Sequence, residues 1–403
     1  MSLDPQKLTF TQSINASPKQ AFYAFTHASA FNEWLSDFAS VIPHPGGRIY
    51  LWWNSGYFSS GEITEVDPER RLSFTWHGRN EPADTQVDIN FEAENGTTLI
   101  RLEHTGFGDG EAWAKTIQEC RTGWEKGMEN LVSIFETGED LRYTRRPMLG
   151  ILVDDFDKDI AKQLGVPVDQ GIRIAEPIEG MGAKAAGLLK DDVMIALDGL
   201  DISDFPDLTN ALQPHQAGDK VEIIFYRGSE KESAKMELSS RPIPEIPEKN
   251  SDLAKAVEKE RANQYLALEK FLDGVSEEEV TFRSSNEEWS IKDNLAHLVQ
   301  GERGWITWLT GVIGGYQAQY DDYGGNLPIY NQATLAAFPS VGALLEQLKR
   351  LNMEIVALID GLPNDLPLDK NIHWRIGINL LEHPYHLESH LDQMKTTLAA
   401  ARK

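Results

Sequence analysis

Three of the ten histidines of this chain fall within eight residues near its C-terminus, in "NLLEHPYHLESHLDQM", Asn379 to Met394. His386 and His390 are four residues apart, which on a helix places them one turn above the other, about 6 Å along the axis. Two imidazoles so placed can hold one divalent ion; they can equally hydrogen-bond inside a helical core and hold none. His383 lies one turn earlier on nearly the same face. Pro384 follows it, and a proline inside a helix removes a hydrogen bond and clashes with the preceding turn, so His383 stands apart from the pair. A distant histidine, His297, is embedded in the apolar stripe of "EWSIKDNLAHLVQGE". His373 and Trp374 are expected to face the same cavity as the pair. The single cysteine, Cys120, lies in a helical run and reads as a packing residue rather than a nucleophile.

The elements that must position these rings are helices. Apolar periodicity predicts them at Ser251 to Val275, Ser290 to Val312, Val341 to Leu362 and Ile376 to Ala400, with Ser290 and Ser340 as N-caps. Four such helices make an all-α four-helix bundle. The connection "GGYQAQYDDYGGNLPIYNQATLAAF" is too polar and Gly-rich for a fifth core helix and is expected to cover one end. Upstream, "RPIPEIPEK" carries prolines at 242, 244 and 247, which favours an extended spacer. A second boundary falls near "GEDLRYTRRPM". The chain therefore reads as a multidomain α+β protein with domains at 1–140, 145–240 and 250–403 and a Pro-rich linker at 241–249.

In the first domain Ser17 caps a helix whose first position is Pro18, strands alternate between turn signals, and a helix from Glu111 to Glu136 closes the segment. One antiparallel sheet wrapping a helix is expected. Six of the ten tryptophans, Trp34, Trp52, Trp53, Trp76, Trp113 and Trp124, concentrate here. Such rings either line a cavity for a small apolar ligand or simply fill the core. His104 and Tyr57 would supply polar contacts to a ligand, and no nucleophile stands beside a base.

The blocks "SPKQAFYAFTHASAFNEWL", "GEITEVDPERRLSFTW" and "LIRLEHTGFGDGEAWAKTIQECRTGWEKGMENL" resemble the START-like (SRPBCC) superfamily, and within it the heat-shock-protein-90 ATPase activators. The resemblance implies a helix-grip fold enclosing an apolar cavity, here lined by Trp34, Trp52, Trp76, His104, Trp113 and Trp124. The segment with "MLGI", "AAGLLKDDVMIALDG" and "AGDKVEIIFYRG" resembles a PDZ domain of the kind attached to bacterial proteases. That implies a small β-barrel that takes the C-terminal peptide of a protein partner. Its carboxylate turn would be Met148, Leu149, Gly150 and Ile151, and its side-chain pocket Leu208 and Leu212. Lys190-Asp191 stands where such domains usually carry a glycine before the aspartate, which should alter a turn away from the groove. "EWSIKDNLAHLVQGE" and "HLESHLDQM" resemble the DinB-like superfamily, with one histidine on the second helix and an HxxxH pair on the fourth. Carried across, the ligands of a divalent metal, zinc, nickel or iron, would be His297, His386 and His390. Such sites resemble those of thiol-dependent S-transferases and isomerases.

Lys plus Arg total 38 against 63 Asp plus Glu, a formal charge of −25, which repels phosphate backbones and anionic lipid heads. Nucleic-acid and membrane partners are therefore not expected. The N-terminus lacks a basic segment followed by an apolar run, and a lone cysteine suits a reducing compartment, so a cytoplasmic location is expected. The leading expectation is a binding or adaptor protein with an apolar-ligand cavity, a peptide groove and a metal-binding bundle. The alternatives are a metal-dependent thiol S-transferase or isomerase acting through the three histidines, and a co-chaperone that stimulates a chaperone ATPase.

Overall fold

Ser17 opens the first helix as its neighbours require. Its Oγ accepts the Gln20 N–H at 3.3 Å, Gln20 Oε1 accepts the Ser17 N–H at 3.1 Å, and Pro18 takes the first turn. The structure, a computed structural model, describes residues 7–285, 288–315, 327–363, 368–382 and 385–403, with 385 and 386 described by their backbone alone.

The N-terminal elements are β1 (Leu8–Ile14), α1 (Pro18–Thr26), α2 (Ala28–Trp34), β2 (Phe38–Val41), β3 (Arg48–Trp52), β4 (Phe58–Asp67), β5 (Arg71–Gly78), β6 (Thr85–Glu94), β7 (Thr97–Thr105) and α3 (Glu111–Glu136). The strands form one antiparallel sheet in the order β1-β7-β6-β5-β4-β3-β2, with Leu8 opposite His104 and Ile14 opposite Thr98. Alternation sets the inner face: Val87, Ile89 and Phe91 of β6 are buried while the residues between them are half-exposed. That face packs on Phe25, Phe31 and Trp34 of α1 and α2 and on Trp124, Met128, Leu131 and Ile134 of α3.

Then come α4 (Leu141–Thr144), β8 (Ile151–Asp154), α5 (Lys158–Leu164), β9 (Ile172–Pro177), α6 (Gly182–Ala185), β10 (Val193–Leu197), β11 (Leu200–Asp201), α7 (Phe205–Leu212), β12 (Lys220–Arg227) and β13 (Glu230–Glu237). Their sheet runs β13-β12-β10-β9-β8, with β11 beside β10. Among the described residues the strand β8 is an edge strand paired only to β9.

The C-terminal elements are α8 (Asn250–Leu272), α9 (Glu277–Thr281), α10 (Ile291–Ile313), α11 (Leu327–Ala337), α12 (Val341–Asp360), α13 (Asp369–Leu381) and α14 (Tyr385–Ala401). Ser290 and Ser340 are N-caps, as their sequence context predicts. The expected fourth helix is in fact two, α13 ending at a cap on Glu382 and α14 resuming directly after Pro384. Pro384 stands between the two in the sequence, and proline is tolerated just where a helix such as α14 begins. The polar connection also contains a helix, α11, with Asn331 and Thr334 buried. The proline spacer does not run free along its whole length: Ile246 packs into the bundle core, and a Cβ on Gly377 would lie 2.4 Å from it.

By contacts the chain divides into two units, one of Met1–Trp53, Tyr57–Glu139 and Pro244–Lys403, the other of Asn54–Gly56 and Asp140–Ile243. Within the first unit the N-terminal sheet domain and the bundle are joined by specific polar contacts. Lys370 Nζ donates to the Glu136 carbonyl at 3.0 Å, at the C-terminus of α3 where a cation is favoured. Asn371 Nδ2 donates to the Gly138 carbonyl at 2.7 Å, Arg375 pairs with buried Glu33, and Leu368 enters the N-terminal core. Among the described residues no helix is long and apolar enough to cross a membrane.

Candidate functional sites

The bundle brings two of the three expected ligand histidines together. His297 on α10 and His390 on α14 have ring centroids 4.8 Å apart. The side chain of His386, and all of His383 and Pro384, lie outside the described residues. A chain of hydrogen bonds starting at the α10 cap orients His390. Asn294, wholly buried, donates from Nδ2 to the Ser290 carbonyl at 3.0 Å, so its Oδ1 is the atom that faces His390 Nδ1 at 2.8 Å. An amide oxygen only accepts, so Nδ1 carries the proton and Nε2 keeps the lone pair. Trp289 stacks at 6.1 Å on His390 and tilts against His297 at 5.1 Å. Burial lowers the pKa of both histidines, and the nearby His390 lowers His297 further, so both rings are kept in the neutral form that binds metals. Among the described residues no three His, Cys, Asp or Glu side chains are grouped to hold a metal.

One turn along α10 from His297, Gly301 borders a cavity of about 560 Å³ between α8 and α10. Sequence reasoning missed it. Its polar floor is an ion pair of Arg261 with Glu302, whose carboxylate is pushed up by burial and pulled back by the guanidinium. Tyr265 beside it is pushed above the usual phenol range, chiefly by burial and then by Glu302. The only sequence signal was the glutamate ending "LVQGE", within an otherwise apolar stripe. His373 and Trp374 lie elsewhere than expected. Carried on α13 rather than α14, they line a recess of about 470 Å³ with Glu136 and Ile246, and His373 bonds Asn250 Oδ1 at 2.7 Å and the Pro247 carbonyl at 2.6 Å.

In the second unit the four turn residues precede the edge strand β8. The Met148 N–H and carbonyl exchange hydrogen bonds with Ser239, both at 2.9 Å. The carbonyls of Leu149 and Gly150 accept from Ala183 and Ile178, at 2.9 and 2.8 Å. Among the described residues the N–H groups of Leu149 and Gly150 have no acceptor. Gly150 has φ +79°, and a Cβ there would lie 2.2 Å from Met181 Cβ, so glycine is required twice over. On β8 Leu152 is 51% and Val153 44% exposed. Leu208 is buried in the core of this unit and Leu212 is half-buried against it. The Lys190-Asp191 departure keeps a left-handed turn: Asp191 has φ +68° and is held by Arg173 Nε at 2.8 Å and Nη2 at 2.6 Å.

The N-terminal aromatics form a connected set. Trp76 lies 5.4 Å from Trp124, 5.7 Å from His104 and 6.4 Å from Trp53, and Phe107 links His104 at 4.6 Å to Trp113 at 6.1 Å. Trp34 sits apart from that set, fully buried, donating to the Ala24 carbonyl at 2.9 Å, and Trp52 is half-buried at the end of β3. His104 is 0% exposed. Trp124 Nε1 donates to its Nδ1 at 3.2 Å, so its Nε2 carries the proton toward Thr85 Oγ1 at 2.7 Å, and Thr85 donates to the Trp76 carbonyl at 2.9 Å. Burial depresses its pKa to about 3. Glu81, which the sequence reading passed over, accepts from Tyr57 Oη at 2.8 Å, Trp76 Nε1 at 3.2 Å and the Gly78 N–H at 2.8 Å.

Comparison with known proteins matches the three segments separately. Residues 15–136 match the family "Activator of Hsp90 ATPase homolog 1-like protein", residues 147–238 the PDZ domain, and residues 263–394 the DinB superfamily. Curated relatives include a probable periplasmic serine endoprotease DegP-like of Rhizobium meliloti, 28% identical over 135 residues, covering 32% of this chain and 27% of the relative. The periplasmic pH-dependent serine endoprotease DegQ of Escherichia coli is 28% identical over 88 residues, 22% of this chain and 19% of the relative. The chain thus spans about a quarter of the length of the curated relatives it matches. Similar solved structures include the Aha1 dimer from Colwellia psychrerythraea, 19% identical over 33% of this chain and 98% of that one, TM-score 0.30. An HSP90 activator from Plasmodium falciparum is 24% identical over 31% of this chain and 92% of that one, TM-score 0.28. The periplasmic relatives contradict the cytoplasmic location expected from the sequence. That expectation rested on the pattern of the N-terminal residues and on a single cysteine, and a single cysteine excludes an internal disulfide but not an oxidising compartment. The chain is a multidomain α+β protein that joins a START-like segment of the Hsp90-activator type, a PDZ domain and a DinB-like helical domain in series.

Proposed function

We propose that this chain is a binding protein of the bacterial periplasm that captures the carboxy-terminal end of a partner chain on β8. The observation that carries the reading is the combination at that edge: a strand paired on one side only, preceded by the Leu149 and Gly150 N–H groups that lack acceptors among the described residues. A partner strand would add along β8, its carboxylate taking those N–H groups. The exposed Leu152 and Val153 would meet its side chains, and Leu208 and Leu212 of α7 would form the wall for an apolar terminal residue. Fluorescence polarisation should find a peptide ending in a free apolar residue binding at least about tenfold tighter than the same peptide amidated. Gly150→Ala should abolish the difference; equal binding of acid and amide ends the reading.

A second reading is favoured by the His297–His390 pair: the bundle holds a divalent metal and does chemistry there. His297 and His390 would be ligands, Asn294 and Trp289 would orient them, and His386 is the third residue proposed. A metal bound with an open position would lower the pKa of a coordinated water or thiol. The same half-buried pair with neutral rings fits zinc, nickel or iron. Metal analysis of the purified chain should find about one ion, falling well below half occupancy in His297→Ala and His390→Ala. Unchanged metal content in both variants would refute the assignment.

A further inference from the structure

Among the described residues Glu302 is the one carboxylate lining the α8–α10 cavity, and only one of its oxygens has a hydrogen-bond partner. Oε1 pairs with Arg261 Nη1, whereas Oε2 is buried with no hydrogen-bond partner among the described residues, in a residue 6% exposed. A buried acceptor left without a donor is costly, so proteins retain one where something else completes it. Here the unsatisfied oxygen belongs to a residue lining a space of about 560 Å³, within the range of small-molecule sites. Two glycines on α10, Gly301 and Gly304, help to keep it open, and a Cβ on Gly304 would meet nothing within 4 Å.

The chemistry of the walls selects the ligand. The missing partner of Oε2 is a donor, which excludes an acceptor-only head group. Trp305 and Tyr265 offer aromatic surface to an apolar body, and aromatic faces attract cations. The neighbouring Trp308 already carries the Arg375 guanidinium 5.8 Å from its ring centre. Arg261 balances the charge of Glu302, so the empty pair is neutral and a cation is drawn by the free oxygen at close range. A net charge of −25 raises the local concentration of cations around the whole molecule. We propose that this cavity binds a small primary amine on an apolar body, its ammonium group donating to Glu302 Oε2 and its body lying against Trp305 and Tyr265. The proposal needs neither the peptide groove nor a metal.

The test is a titration of the intact chain with 2-phenylethylamine and, separately, with its neutral counterpart 2-phenylethanol, followed by calorimetry and by tryptophan fluorescence. The amine should bind at least about tenfold tighter than the alcohol. Glu302→Gln should remove that preference. Gly304→Leu, which places its side chain in open space at the mouth, should abolish binding of both while leaving the melting temperature equal or raised. Equal binding of amine and alcohol to the wild type would overturn the proposal. So would no binding at all, which would leave the oxygen to water, or an amine preference that survives Glu302→Gln.

Discussion

At the scale of single residues, His104 shows how burial turns an ionisable group into a structural one. Each ring nitrogen has one partner, Trp124 donating to Nδ1 and Nε2 donating to Thr85, so a second proton on Nδ1 would face an indole N–H. The folded ring refuses that proton until about pH 3, while the unfolded ring accepts it near 6.5. Between those values the unfolded state binds more protons, so this contribution is complete above about pH 6.5 and is lost as pH falls toward 3. The full difference corresponds to roughly 5 kcal/mol. Urea unfolding followed across that range should give a steeper loss of stability in the wild type than in His104→Leu. That variant should itself be weaker at neutral pH, because Thr85 and Trp124 lose their partner. Of the bundle histidines, His390 was singled out by its spacing from His386, and His297 by the resemblance of its segment to the DinB-like superfamily. Asn294 and the Arg261–Glu302 pair could not, since Asn294 gains meaning only from His390, 96 residues away, and Arg261 meets Glu302 across 41.

At the scale of elements, the turn before β10 carries a prediction. Asp191 occupies the left-handed region, where the PDZ resemblance leads one to expect glycine, and Arg173 holds it there with two hydrogen bonds. Asp191→Gly relieves the backbone but forfeits the guanidinium; Asp191→Ala forfeits the guanidinium and keeps the positive φ. The alanine variant should therefore be the less stable, by about 1 kcal/mol, when the unfolding of the second unit is followed by chemical denaturation. Capping boxes and alternation made α1, α10 and most of the N-terminal strands legible in advance, because those signals act within a few residues. The break between α13 and α14 was foreshadowed by Pro384 alone. The α11 helix was not legible, because its low amphipathicity hides it among polar residues and its burial depends on neighbours such as Gln300 and Arg303 of α10.

At the scale of the whole molecule, three sequence segments give two compact units. Calorimetry of the intact chain should accordingly resolve two transitions, one for Asp140–Ile243 and one in which the N-terminal sheet domain and the bundle melt together. Arg375→Ala removes the guanidinium facing buried Glu33 and should lower only the second of these, by roughly 3 kcal/mol. Separate melting of the N-terminal domain and the bundle would show that Lys370, Asn371 and Arg375 do not couple them.

Sequence alone determined what local physics can determine, the capped helices, the alternating strands and the ligand spacing of His386 and His390, while the kind of each segment came from its resemblance to known families. Those features are written in residues a few positions apart, where hydrogen-bond and side-chain periodicities act directly. Tertiary structure decided the rest. It joined α13 to the N-terminal domain through Lys370, Asn371 and Arg375, kept His104 neutral by enclosing it, turned His390 through Asn294, and set Glu302, with one oxygen unsatisfied among the described residues, in the wall of a cavity. Each of these depends on burial or on partners distant in sequence, and desolvation exists only once the chain has folded around the group.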